Sequence, residues 1–124
     1  MKTLFLTTVL FFGITASVCG QSDIRVAVSK SKSELAQSKT NGKYIFSLPT
    51  GTPSDKVEQN AKYYTNYFTV TYSSTTSVAN ITMITNDEKS RHIICRFLIA
   101  CGIEKINVEG TDLAIEEFFT SYLK

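Results

Sequence analysis

The chain has 124 residues, 43% of them hydrophobic, with 13 Lys and Arg against 11 Asp and Glu and one His. Once the leader described next is removed, 12 basic and 11 acidic residues remain, a net charge of +1 and far from the basic surface of a polyanion binder. A chain of this length builds one small domain and no more.

Lys2 precedes an apolar run from Leu4 to Ile14 and the small-residue stretch Ala16 to Gly20. This is the pattern of a secretory signal peptide cleaved before Gln21. The run is too short for a comfortable membrane span, and nothing later in the chain is apolar for long enough to replace it. Residues 1–20 are therefore expected to be a leader and residues 21–124 a single β-rich domain, secreted and extracellular, with no membrane span and no nucleic-acid partner.

Ile24, Val26 and Val28 alternate with Arg25, Ala27 and Ser29 as a first strand. Lys30 to Thr40 is polar and predicts a loop, with at most one helical turn over Ser33 to Gln37. Its lysines, Lys30 and Lys32 with Lys39 and Lys43 behind them, are interrupted by Glu34 and read as a solvated stretch. Asn41-Gly42 signals a turn, and Lys43 to Leu48 follows as a strand with Tyr44, Phe46 and Leu48 on one face. Pro49 to Pro53 ends it. From Ser54 a short helix can start, with Val57, Ala61 and Tyr64 as its apolar stripe.

Phe68, Val70 and Tyr72 alternate with Thr69 and Thr71, a strand with one wet face. Ser73 to Ser77 is its turn. Ala79, Ile81 and Met83 point one way in the next strand, and Asn80 and Thr82 the other. Asn80-Ile81-Thr82 is an N-glycosylation sequon, so the chain is expected to be a glycoprotein with Asn80 on the polar side. His92 to Ala100 is the most apolar stretch after the leader and predicts a central strand, Ile93, Cys95, Phe97 and Ile99 on one face and Arg96 needing a carboxylate or an exit to water. Ile106 and Val108 alternate inward against Lys105, Asn107 and Glu109. Leu113 to Leu123 fits either a helix burying Ile115, Phe119 and Tyr122 or, by its Phe118 to Tyr122 composition, a strand, and the strand is favoured.

Six or seven short strands predict an all-β fold, a small antiparallel sandwich or open barrel. The alternative is α+β, with helices at 54–64 and 112–123 packed on one sheet.

Cys19 leaves with the leader, so Cys95 and Cys101 remain. In an exported protein such a pair invites a disulfide. Yet their alpha carbons lie about 20 Å apart along a strand and about 9 Å apart along a helix axis, against less than about 7 Å for a bridge. A bridge needs the chain to turn back between them; bridged, buried and intermolecularly paired thiols all stay open.

His92, alone of its kind, sits three residues before Cys95, a spacing that puts the two on opposite faces of a strand and disfavours a thiolate–imidazole pair. The spacing of Cys95, Cys101 and His92 does not match zinc sites. The carboxylates of Glu116-Glu117 and Asp87-Glu88 are sequence neighbours and read as solvated turns rather than an acid–base pair. No nucleophile elbow or phosphate loop occurs, and no catalytic, metal or cofactor residue is assigned. Tyr63, Tyr64, Tyr67, Phe68 and Tyr72 form the densest aromatic cluster; Phe68 and Tyr72 alternate into the core, and Tyr63, Tyr64 and Tyr67 are the candidate contact surface.

The C-terminal half carries a further pattern in Thr71-Tyr72, Ile81 to Asp87, Ala100-Cys101-Gly102-Ile103, Ile106-Asn107-Val108 and Phe118 to Tyr122. It resembles the arthropod family named for multiprotein bridging factor two, small signal-bearing beta proteins. The resemblance implies a final aromatic strand, export by the family's signal peptides, and transcriptional coactivation by its name; it transfers no functional residue.

The expected function is a secreted, non-enzymatic protein of haemolymph, saliva or another secretion, acting by extracellular binding of a protein partner. The alternatives are a carrier of small apolar ligands in an inter-sheet cavity and a transcription coactivator.

Overall fold

The computed structural model describes residues 24–124, and the leader expected at 1–20 lies outside them. The described chain folds as α+β. In order come β1 (Val26–Ser29), α1 (Lys32–Asn41), β2 (Lys43–Ser47), α2 (Ser54–Ala61) with a 3-10 turn at Lys62–Tyr64, β3 (Phe68–Ser73) and β4 (Val78–Met83). Then follow α3 (Glu88–Ala100), β5 (Lys105–Val108), β6 (Thr111–Ala114) and α4 (Ile115–Phe118), which runs into a π turn at Phe119–Leu123.

The strands form one mixed sheet in the order β3-β4-β2-β1-β5-β6. Only β1 and β5 run parallel; the other neighbours are antiparallel. Registered rows show which side chains share a face. Tyr44 sits opposite Ile81, Phe46 opposite Ala79 and Ala27 opposite Ile106, and all six are at most 1% exposed. The complementary rows, including Thr69 opposite Thr82 and Thr71 opposite Asn80, are exposed. The helices thus cover one face, and the other is wet. An all-β sandwich or barrel is overturned, because the described strands form one sheet with helices packed on it.

The largest departure is α3, where a central strand was expected. Its buried residues, Ile94, Cys95, Phe97, Leu98 and then Cys101, follow the i, i+3, i+4, i+7 spacing of a helix stripe, whereas Ile99 is 56% exposed and Arg96 faces water. The ends are well specified. Asp87 caps the start, its Oδ1 accepting from the Ser90 amide at 2.8 Å. At the other end Gly102 takes φ 92°, its amide donating to the Ile99 carbonyl while the Ile103 amide reaches Leu98. That is a Schellman stop, which favours glycine at the left-handed position.

Ser90, through its hydroxyl and then its amide, holds the Asp87 carboxyl below its ordinary value. A depressed carboxyl contributes stability above its unfolded value of 3.8 and loses it as pH falls through the folded value. Melting curves across the acid range should therefore show a shallower acid limb for Asp87→Ala than for the wild type, and a lower melting temperature at neutral pH. Equal slopes and equal melting temperatures would mean that the cap does not hold.

The polar stretch predicted as loop is α1. Its start has the Ser-x-x-Glu spacing of a cap, with the Ser31 hydroxyl accepting from the Glu34 amide and donating to the Glu34 carboxylate. Glu109, from the β5–β6 turn, accepts from the Lys32 amide at 2.7 Å. Gly42, φ 75°, closes the helix. Only Leu35 and Ser38 are buried, so the helix is specified by its ends rather than by an apolar face.

β1 also differs, since Ala27 and Ser29 face the helices while Val28 is 47% exposed and Ile24 60%. The C-terminal stretch, favoured as strand, is strand only to Ala114 and helical beyond, burying Ile115, Phe118, Phe119 and Leu123. The aromatic strand implied by the family resemblance is thus helical, and Ala100 to Gly102 ends a helix rather than a strand. Tyr44, Phe46, Leu48, Ile81, Ile106 and Val108 are buried as their alternation predicts.

Candidate binding surface

Replacing a strand by α3 reverses the geometry of the one histidine. His92 and Cys95, three residues apart, share a helix face one turn from each other. Glu116 of α4 joins them, its two oxygens 3.0 and 3.2 Å from His92 Nε2. The imidazole also stacks on Phe119 at a centroid distance of 4.1 Å. Together with Glu88 and Lys89 these rings line an open depression of about 440 Å³.

The thiol in this group is in no state to react. Burial pushes Cys95 up to about 12, and the Glu116 carboxylate pushes the same way. A thiolate nucleophile needs the opposite, a cationic and accessible setting. What the His92–Glu116 contact does is tie α4 to α3. The neighbouring carboxylates divide their roles, Asp87 as cap and Glu116 as partner of His92.

Cys101, at the end of α3, is also buried and free; burial raises it to about 11 against the lowering effect of Lys56 and Arg25. The two cysteines are not bridged, because a helix separates them along its axis and the turn back that a disulfide needs comes only after Cys101. Asn80 stands on the wet face of the sheet and is exposed, with Thr71 and Ile45 opposite it in the flanking strands.

The tyrosine cluster splits. Tyr63 is 79% exposed. Tyr64 stacks on Phe68 at 6.0 Å and meets Phe97 edge-on at 6.2 Å, so it belongs to the core margin, and Tyr67 is half-buried against the same cluster. Tyr63 is the member of the three that water reaches most freely, at the turn where α2 hands over to β3.

Beside that turn lies a surface the sequence did not single out. β3 is an outer strand of the sheet. The Ile84 amide donates to the Tyr67 carbonyl at 2.9 Å, which makes that opposed pair a hydrogen-bonded one. Alternation then turns Thr69, Thr71 and Ser73 toward β4 and aims the backbone groups of Phe68, Val70 and Tyr72 away from the sheet. Phe68 is fully covered, but Val70 and Tyr72 are half open. Beside Val70 lies a groove of about 230 Å³ lined also by Glu58, Ala61, Lys62, Thr65, Phe68 and Thr69.

The two sheet edges are unlike. β6 has four residues, and its Asp112 is held by the Asn107 amide at 2.7 Å; a short, charged edge resists pairing. β3 has six residues, Phe68 to Ser73, with neither charge nor proline, and so lacks the usual protection. The clue in the sequence was that uncharged run, but whether a strand is central or outermost is set by its distant neighbours.

No family model, no curated protein and no solved structure matches the chain. No helix among the described residues is long and apolar enough to cross a membrane.

Proposed function

We propose that the protein is an exported, non-catalytic binding protein that takes an extended partner segment along the outer edge of β3. The observation that carries this reading is the pair of outward-facing backbone units at Val70 and Tyr72, on a strand without charge. Main-chain hydrogen bonds to such an edge supply affinity, and the flanking groove and the exposed Tyr63 supply side-chain contacts. The leader motif at Lys2 to Gly20 supports action outside the cell.

The full chain, expressed in a eukaryotic secretory host, should be recovered from the medium and, once purified and concentrated, should form complexes larger than one chain. Val70→Pro removes an outward-facing donor without touching the β3–β4 ladder, the position at which an edge strand tolerates proline. It should weaken the association constant at least about tenfold, the effect of roughly 1.4 kcal/mol. Protein retained in the cell, or complexes indifferent to Val70→Pro, would overturn the reading.

A further inference from the structure

We infer that the partner of the β3 edge is a second copy of this chain, paired antiparallel about a two-fold axis at Thr71. This rests on the reading of β3 as the contact strand and names what it contacts.

A two-fold interface must be self-complementary, because each patch meets itself in reverse. Thr69-Val70-Thr71-Tyr72-Ser73 has that property: small hydroxyl residues at 69, 71 and 73 alternate with the bulkier Val70 and Tyr72 in either direction, and the Tyr72 hydroxyl is already taken up, donating to the Thr52 carbonyl at 2.9 Å. An axis through Thr71 sets Val70 opposite Tyr72 of the copy and Thr69 opposite Ser73. Both Val70 and Tyr72 aim their backbone groups outward, so the two pairings are of the hydrogen-bonded kind and together exchange roughly four N–H···O bonds. Thr71 faces Thr71 in the non-hydrogen-bonded pairing between them, with alpha carbons about 4.5 Å apart.

The side chains agree with the backbone. On the helix side the half-open Val70 and Tyr72 cover each other. On the wet side hydroxyls meet hydroxyls. Doubling the strand brings no like charges together, since it carries none, and the groove wall beside it holds Glu58 and Lys62, opposite in sign. The covered Phe68 at one end and the turn after Ser73 at the other confine the pairing to this central stretch. So short an interface belongs to the weak, reversible class.

The test is sedimentation velocity on the secreted chain over about 10 to 500 µM, the range a small interface calls for. The wild type should pass from monomer to dimer. Thr71→Lys and Thr71→Glu, each placing like charges across the axis, should each weaken association at least about tenfold. Their equimolar mixture should recover dimer at the wild-type level or above, which also shows that both variants are folded. A wild type monomeric throughout, a Thr71→Lys that dimerises as well as the wild type, or a mixture without recovery would each overturn the inference. If the wild type is monomeric alone but is recovered from the medium bound to a different protein in a Val70-dependent way, self-pairing falls while the edge remains the contact strand.

Discussion

Between neutral pH and about pH 11 the folded chain is expected to lose roughly 6 kcal/mol of stability, much of the roughly 5 to 15 kcal/mol that a small domain possesses. Three buried acids cause it. Burial raises Cys95 from 9.0 to about 12, with the Glu116 carboxylate adding to the rise. Burial likewise raises Cys101 from 9.0 to about 11, against the pull of Lys56, Arg25 and Asn60, and Tyr44 from 10.0 to about 12, against that of Arg91. Each group holds its proton more tightly folded than unfolded. Its contribution is therefore complete below the unfolded value and is lost as pH rises through the folded one, a window running from about 9 to about 12.

Urea midpoints at a series of alkaline pH values should fall steeply for the wild type and less steeply for Tyr44→Phe. That variant should also cost little at neutral pH, because the Tyr44 hydroxyl is buried with no hydrogen-bond partner among the described residues. A midpoint that does not move between pH 8 and pH 11, about three units, would show that these groups are solvated in solution.

Phe97→Ala should cost about 3 to 5 kcal/mol, measured by urea unfolding at neutral pH. Phe97 is fully buried, its ring 5.8 Å from Phe68 and 6.2 Å from Tyr64, both edge-on. It joins α3 to the first residue of β3 and to the turn before it, so its loss opens a cavity under the contact strand. Phe97→Leu, which refills much of that volume, should recover the larger part of the loss. A cost below about 1 kcal/mol for Phe97→Ala would mean that α3 does not pack there.

Both predictions depend on α3, the segment whose pattern supported two answers. Ile93, Cys95, Phe97 and Ile99 alternate as a strand does, and three isoleucines bias the composition the same way. The helical stripe of Ile94, Cys95, Phe97, Leu98 and Cys101 is present in the same letters, with Asp87 as cap and Gly102 as stop. The role of Asp87, turn residue or cap, is the cue that separates the two. In α1 the difficulty was the reverse, for a helix with one buried apolar residue has no periodicity to detect, and its Ser31 cap carries the signal instead.

The chemistry followed the element type. With α3 a helix, His92 and Cys95 came onto one face, and the histidine found Glu116 from a segment twenty-four residues on. Nothing local to His92 announces that contact, and nothing local to Cys95 announces the burial that keeps its thiol protonated.

By itself the sequence determined the near-neutral composition, the apolar run from Leu4 to Ile14, strands where the structure has Lys43 to Ser47, Phe68 to Ser73, Val78 to Met83 and Lys105 to Val108, and which of their side chains turn inward. Those are short-range properties, since alternation needs only residues two apart. Tertiary structure alone decided that the strands share one sheet, that helices cover only one of its faces, and that Phe68 to Ser73 lies outermost. Strand order comes from pairing and packing between segments far apart in sequence, and it is this order that leaves Val70 and Tyr72 with their hydrogen-bonding groups turned outward.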